Sequence, residues 1–169
     1  MTRLLTAEVI VPRPVDEVFP FFADAANLER LTPAFLNFHI LTPLQIDMRR
    51  GTIIEYRIRL HAFPIRWRTR IAAWEPPFRF VDEQIRGPYR LWRHEHTFHA
   101  TEGGTLCRDR VEYSHWGGSL AERLVVRPNL DRIFEFRRRA ILHVFDPHRS
   151  GAAPGSPSVG AARRSLGAA

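Results

Sequence analysis

The residues best suited to chemistry lie in one short stretch, residues 92–98, with the sequence Trp-Arg-His-Glu-His-Thr-Phe. Before it, Gly87 and Pro88 predict a turn, and the residues that follow them predict a β-strand. Side chains alternate between the two faces of a strand, so His94 and His96 share one face with two aromatic residues. That face is predicted to be buried. A buried imidazole needs a hydrogen-bond partner or a chemical task, which makes this pair the main functional clue.

Asp109 is the predicted partner of these histidines. Two glycines at residues 103–104 predict a hairpin turn into the next strand, residues 105–113, and Asp109 is expected on its inward face. A carboxylate bonded to an imidazole fixes the imidazole's tautomer and raises its pKa, which suits general acid–base chemistry. His94, His96 and Asp109 are therefore the candidate catalytic residues. The alternative is a buried network that only stabilises the fold.

The His-x-His spacing also permits a metal ion, with Asp82 or Asp109 as a third ligand. Two histidines on one strand are far more often not ligands, and the single cysteine, Cys107, does not lie in a ligand-like spacing. We therefore predict neither a metal nor another cofactor. Cys107 is expected to be a small core residue. The sequence contains no Ser/His/Asp motif, phosphate-binding glycine loop or dinucleotide fingerprint.

The elements that must position these residues begin with a strand over residues 4–11. Pro14 suits the first turn of a helix, and Pro20 is expected to kink or shorten that helix. Its apolar face follows helical spacing at Val15, Val18, Phe19 and Phe22. Asp24 is expected to cap a second short helix over residues 25–31.

Six consecutive strands are predicted next, over residues 38–44, 52–60, 65–74, 78–85, the stretch after Pro88, and 105–113. A capping box at residues 119–122 predicts the start of a last helix, with a kink or fresh start at Pro128. Three arginines at residues 137–139 are expected on its polar side. Strands segregated from helices in this way predict an α+β domain. Its seven-stranded antiparallel sheet is expected to curve around the long C-terminal helix.

The composition predicts a single domain, because the chain has 169 residues of which 44% are hydrophobic. We assign residues 1–147 to this domain, and residues 148–169 to a disordered tail rich in Arg, Gly, Ala, Ser and Pro. No apolar run reaches membrane-spanning length and no signal peptide is evident, so stable membrane insertion is not expected. Together with the cysteine count, this favours a cytoplasmic location.

The net charge of +7 raises the alternative of a nucleic-acid partner. All 25 basic residues are arginine, however, which indicates a compositional preference more than a nucleic-acid surface. The outward strand faces are predicted to carry arginines opposite glutamates, which is an ordinary solvated surface without the interleaved aromatic residues of single-strand binders. We therefore do not expect nucleic-acid binding.

The order of elements resembles the START-like superfamily, also called SRPBCC or helix-grip. It includes pollen-allergen-like proteins, lipid-transfer domains and polyketide cyclase/dehydrase-like proteins. Local motifs are similar to those of a bacterial ligand-binding branch of this superfamily, over residues 27–33, 80–84, 87–89, 92–98 and 109–113. The resemblance implies a helix-grip fold with a cavity between the sheet and the last helix. It also implies a hydrophobic or amphipathic ligand, such as a lipid, isoprenoid, polyketide or aromatic compound.

Nine residues are expected to bind this ligand, namely Tyr56, Trp67, Phe80, Asp82, Gln84, Trp92, Phe98, Tyr113 and Phe134. A register error of one residue would place Phe80, Asp82 and Gln84 on the outer face. Three functions stay open. The first is binding or transport without chemistry, and the second is a cyclase, dehydratase or isomerase that uses His94 or His96 with Asp109. The third is an interaction module whose basic surface recruits an acidic partner or a membrane. A homodimer is also left open.

Overall fold

The computed structural model describes residues 1–43, 45–60 and 63–146. Its elements are β1 (Arg3–Val11), α1 (Val15–Ala23), two 3-10 turns (Ala25–Leu28 and Ala34–Leu36), β2 (His39–Ile40), β3 (Ile53–Leu60), β4 (Phe63–Glu75), β5 (Arg79–Arg86), β6 (Leu91–Thr101), β7 (Gly104–Ser114), α2 (Gly118–Ala121), a π-helical turn (Glu122–Val126) and α3 (Arg127–Val144). The strands form one antiparallel sheet in the order β1-β7-β6-β5-β4-β3-β2. This confirms the predicted α+β arrangement. The predicted tail lies outside the described residues.

The sheet places the three strands that carry the candidate residues side by side. In the register between β5 and β6, Asp82 pairs with His94, and in the register between β6 and β7, His96 pairs with Asp109. Directly opposed residues of an antiparallel pair project to the same face. The alternation inferred from the sequence is therefore confirmed for all four residues, and the alternative register for Asp82 is excluded.

Two apolar clusters fill the concave side of the sheet at its two ends. The first contains Phe19, Phe98 and Ile141, so it joins α1, β6 and the C-terminal end of α3. The second contains Val111 and Leu130, and it joins β7 to the start of α3. The two histidines lie on β6 between Trp92, which packs on the second cluster, and Phe98. The middle of the concave face is thus left for polar residues.

Strand β1 and helix α1 cover the residues predicted for them, but the next two elements are shorter than the sequence predicts. Helix α1 contains Pro20 and ends three residues after it. Asp24 caps the following element as predicted, because its side chain accepts a hydrogen bond from Ala26 N at 2.9 Å, but that element is a 3-10 turn ending at Leu28. Strand β2 has only two residues. Pro43 follows closely and has no N–H for the sheet ladder, which limits this edge strand.

The C-terminal helix begins differently from the prediction. The capping box is wrong, because Gly117 occupies the N-cap position with a φ of 105° and Ser119 already lies within α2. The predicted kink or fresh start at Pro128 takes the form of a π-helical turn, which joins α2 to α3 without a break, and Pro128 lies in the first turn of α3. The wider hydrogen-bond spacing of the π-helical turn accommodates the missing N–H of Pro128. Among the described residues, no helix has the length and apolar character needed to span a membrane.

The convex face carries the predicted pairs of opposite charge. Arg70 Nη2 lies 3.2 Å from Glu83 Oε2, and Arg79 Nε lies 2.6 Å from Glu95 Oε1. Arg68 also pairs with Glu55 across β3 and β4. These pairs join neighbouring strands at the solvated surface, where each contributes little to stability. They confirm an ordinary charged outer face.

Candidate ligand cavity and its histidine cluster

A cavity of about 200 Å³ lies between the concave face of the sheet and helix α3. Its wall is mostly apolar. A series of contacting aromatic rings runs along one side: Tyr56 stacks on Trp67 at 5.7 Å, and Trp67 meets Trp92 edge-on at 5.4 Å. Burial raises the pKa of Tyr56, so its hydroxyl stays neutral, and it lies 3.1 Å from Thr69 Oγ1.

Most of the sequence-predicted site residues line this cavity. They are Tyr56, Trp67, Phe80, Asp82, Trp92, His94, His96 and Phe134. Alternation along the strands brings the sheet residues together, and helical spacing on α3 adds Phe134 opposite them. The lining also includes residues that the sequence interpretation did not select, among them Tyr89 and Ile133.

Three of the residues predicted to bind the ligand do not line this cavity. Phe98 is 1% exposed and packs against the rings of Phe19 and Phe22 instead of lining the cavity. Helix α1 covers that end of β6, which strand alternation alone does not reveal.

Tyr113 and Gln84 also point elsewhere. The Tyr113 hydroxyl donates a hydrogen bond to Glu122 Oε1 at 2.7 Å, because the π-helical turn covers that end of β7. The Gln84 side-chain amide donates to Tyr89 O at 2.6 Å and accepts from Tyr89 N at 3.3 Å. Gln84 therefore holds the loop between β5 and β6 and does not contact the cavity.

Four polar side chains of the wall and one behind it form a group that we call the cavity cluster: Asp82, His94, His96 and Arg137 line the cavity, and Asp109 contacts them from behind. Asp109 Oδ1 lies 3.0 Å from His94 Nε2 and 2.7 Å from His96 Nδ1. On the other side of the rings, Asp82 Oδ2 lies 3.1 Å from His96 Nε2 and 3.7 Å from His94 Nδ1. The two imidazoles thus connect two carboxylates. Asp82 lines the cavity, whereas Asp109 lies behind the rings.

Arg137 is the residue that the sequence interpretation missed. It was expected on the polar side of the last helix, but it is only 8% exposed, and its Nε donates a hydrogen bond to Asp109 Oδ2 at 3.0 Å. The signal was present in the spacing. The buried residues of α3 are Leu130, Phe134, Arg137 and Ile141, which follow one helical stripe.

The electrostatic environment separates the two histidines. Burial and the neighbouring His96 lower the pKa of His94 despite its contact with Asp109. Burial alone would also lower the pKa of His96, but hydrogen bonds to Asp109 and Asp82 outweigh it and raise that pKa. Burial opposes ionisation of Asp109, yet Arg137 and the imidazoles hold the pKa of its carboxyl well below the ordinary value. A proton shared by the pair therefore resides on His96.

This site can act on a ligand in three ways. The aromatic wall can contact an apolar ring system, and the imidazoles and Asp82 can form hydrogen bonds with a polar group. Asp82, His94 and His96 also each offer one potential metal-ligand atom, and these atoms lie within 4.8 Å of one another.

Comparison with known proteins identifies the family. The family model for "Polyketide cyclase / dehydrase and lipid transport" matches residues 11–141. The chain belongs to this family. No curated protein is a significant match to its sequence. The predicted SRPBCC membership is thereby confirmed, and the family match covers the strands and helix that build the cavity.

Solved structures confirm the helix-grip fold. The Zhui aromatase/cyclase from Streptomyces sp. R1128 is 15% identical, with a TM-score of 0.69 over 90% of this chain and 100% of that chain. Protein CV1439 from Chromobacterium violaceum is 14% identical, with a TM-score of 0.68 over 85% and 98%. The ginseng major latex-like protein 151 from Panax ginseng is 11% identical, with a TM-score of 0.64 over 86% and 99%. At these identities the similarity establishes the architecture alone.

Proposed function

We propose that this protein binds a hydrophobic or amphipathic small molecule in the cavity between the sheet and α3. The observation that carries this proposal is the composition of the wall, in which connected aromatic rings meet one buried polar cluster. Apolar walls with a few convergent polar groups are the usual make-up of small-molecule sites. The volume of about 200 Å³ lies below the roughly 300–1,000 Å³ of drug-sized pockets, which favours a compact ring system over a long acyl chain.

The polar groups indicate that the ligand carries oxygen. The indole Nε1 of Trp67 is buried, and it has no hydrogen-bond partner among the described residues. Trp67 lines the cavity. This donor has almost no accessible surface, so the polar groups that a molecule in the cavity can reach are the imidazoles of His94 and His96 and the Asp82 carboxylate, which would pair with hydroxyl or carbonyl oxygens. We therefore favour an oxygenated aromatic or polyketide-like ring over a pure hydrocarbon.

A second candidate is a cyclase, dehydratase or isomerase that uses His94, His96 and Asp109. One geometric observation favours it. Both imidazoles line the cavity, and in each ring the nitrogen that faces away from Asp82 lies within 3.0 Å of Asp109 Oδ1. A general acid or base must lie within hydrogen-bond reach of the reacting atom, and a ligand in this cavity would satisfy that condition. In this scheme His94 and His96 exchange protons with the ligand, and Asp109 orients them.

The first test is denaturing extraction of the purified protein, followed by mass spectrometry. We expect a compact oxygenated ring compound. Binding is then measured with the fluorescent probe 1-anilinonaphthalene-8-sulfonate. Ile133→Trp adds bulk to the cavity wall and is expected to abolish probe binding, whereas Leu124→Trp, on the exposed helix surface, should leave it unchanged. Equal probe binding by both variants would contradict the proposed site.

One further variant, His96→Gln, distinguishes the binding protein from the enzyme. His96→Gln keeps a polar side chain of similar size. A binding protein should retain most of its affinity for the extracted compound, whereas an enzyme should lose turnover while binding stays largely intact. Conversion of the compound by the wild-type protein, lost in His96→Gln, would select the enzyme. No conversion by the wild type would select the binder.

A further inference from the structure

We propose that Asp82, His94 and His96 form a binding site for a divalent first-row transition-metal ion at the cavity wall. Asp82 Oδ2 lies 3.1 Å from His96 Nε2 and 3.7 Å from His94 Nδ1. Bonds of about 2.0–2.2 Å to a common ion place neighbouring donor atoms about 3.0–3.5 Å apart in tetrahedral or octahedral geometry. The two distances from Asp82 therefore match a shared ion to within a few tenths of an ångström, and all three donor atoms lie within 4.8 Å of one another.

The opposite ring nitrogens have the arrangement that metal-bound histidines require. His94 Nε2 and His96 Nδ1 both contact Asp109 Oδ1, at 3.0 and 2.7 Å. A histidine that binds a metal usually donates its other N–H to a carboxylate, which fixes the tautomer and directs the lone pair at the ion. Here Asp109 Oδ1 lies within reach of one nitrogen of each ring, and His96 Nδ1 also lies 3.4 Å from Arg137 Nη2. Arg137 holds that carboxylate in place through Asp109 Oδ2.

With these tautomers, the Asp82 side of the cluster lacks positive charge. If Asp109 accepts an N–H from each ring, His94 Nδ1 and His96 Nε2 both direct lone pairs towards the Asp82 carboxylate. A single metal ion accepts electron pairs from all three atoms at once, so it satisfies the whole group.

The formal charges lead to the same conclusion. The cavity cluster contains two carboxylates and one arginine, Arg137, so it needs one further positive charge, which either a proton on His96 or a bound cation can supply. Buried charge without a counterion is costly. A divalent ion would reverse the balance to one positive charge. Three protein ligands also leave coordination positions open, as in catalytic rather than structural metal sites.

The ligand set limits the choice of ion. Two imidazoles and one carboxylate suit Zn²⁺, Fe²⁺, Co²⁺ or Mn²⁺ more than Mg²⁺ or Ca²⁺, which prefer oxygen ligands alone. Since Asp82, His94 and His96 all line the cavity, a bound ion would lie next to any molecule that occupies it.

The test uses Co²⁺, whose visible absorption reports its ligands. Protein prepared without a polyhistidine tag is stripped with EDTA and titrated with Co²⁺, and Zn²⁺ is then added as a competitor. We expect one Co²⁺ per chain, displaced by Zn²⁺. Asp82→Asn and His96→Gln should abolish the absorption band, and Asp109→Asn should weaken binding about 10–100-fold through the outer contact. His99→Gln is the matched control, because His99 lies on the same strand but is exposed.

A measurement on the wild-type chain covers the case in which a variant fails to fold. Bound Co²⁺ should shift the imidazole proton resonances of two of the eight histidines, His94 and His96, far outside the ordinary range. The proposal is overturned if the wild type shows no stoichiometric Co²⁺ band, or if the shifted resonances belong to other histidines. It is also overturned if His99→Gln loses as much affinity as a folded His96→Gln.

Discussion

Two buried clusters in this protein contain the same kinds of side chain, and they differ in how their charges balance. The second, which we call the helix-end cluster, consists of Arg3, Tyr113, His115 and Glu122. There Glu122 accepts hydrogen bonds from Tyr113 at 2.7 Å and His115 at 2.8 Å, and Arg3 lies 3.5 Å away. One carboxylate thus meets one arginine, and none of the four residues lines the cavity.

The cavity cluster has two carboxylates for one arginine, and three of its members besides Arg137 form part of the cavity wall. The comparison separates a structural network from a binding site. A cluster that is satisfied by its own side chains needs nothing further, as in the helix-end cluster. A cluster at a cavity wall that needs a proton or a cation to balance its carboxylates has the arrangement expected of a binding site.

The largest effect is expected from Arg137→Met. This change removes the only arginine of the cavity cluster and leaves Asp109 buried without its cation, so the free energy of unfolding should fall by about 3–5 kcal/mol. Urea denaturation provides the measurement. Arg138→Met is the matched control, because the neighbouring Arg138 is exposed and pairs with Glu135 in the same helix. Equal stability of the two variants would show that Arg137 does not hold the cluster.

The next largest effects are expected from His94→Ala and Asp109→Ala. Each leaves a buried partner unpaired and should lower the free energy of unfolding by about 1–3 kcal/mol. Glu122→Ala in the helix-end cluster should cost a similar amount, about 1–3 kcal/mol, since it leaves Tyr113 and His115 unpaired. Only the first two should also change probe binding in the cavity. Unchanged melting temperatures for His94→Ala and Asp109→Ala would mean that these two residues are not buried together.

A smaller effect on stability is expected from Asp82→Asn, although Asp82 is largely buried. Asparagine keeps the size and polarity of the side chain and removes the charge that has no arginine partner. The free energy of unfolding should change by less than about 1 kcal/mol, or rise, as often happens when a functional residue is replaced. Asp109→Asn should be clearly destabilising in the same urea experiment. If Asp82→Asn lost as much stability as Asp109→Asn, Asp82 would have a structural role.

The smallest effect concerns Cys107, which lies two residues from Asp109 on the same face of β7. Burial, and then the nearby Asp109 charge, raise the pKa of this thiol to about 12, so little thiolate forms in the folded protein. Iodoacetamide at pH 8 should therefore react slowly with native protein and rapidly in urea. Asp109→Ala should increase the native rate, while Glu122→Ala should not. Rapid alkylation of the wild type would show that the region of β7 around Cys107 and Asp109 opens readily to solvent.

The sequence predicted the parts that depend on local alternation. Strand periodicity placed His94, His96 and Asp109 on one face, and the hairpin at residues 103–104 made β6 and β7 neighbours. What it could not give was the extent of the cavity along each strand, because that depends on which ends the helices cover. Phe98 and Tyr113 were misplaced for this reason. Arg137 was misplaced because its charge was given more weight than its position in the apolar stripe.

The π-helical turn at Glu122–Val126 also has a consequence for the tolerance of the chain to length changes. A π-helical turn holds one residue more than the α-helical turn it replaces, and its smaller rotation per residue keeps the flanking helices nearly aligned. Removing one residue between Arg123 and Val126 would therefore return the turn to α-helical geometry, with the α3 stripe still towards the sheet and Glu122 still near Tyr113 and His115. The same deletion inside α3 would rotate every upstream residue of the helix by about 100°.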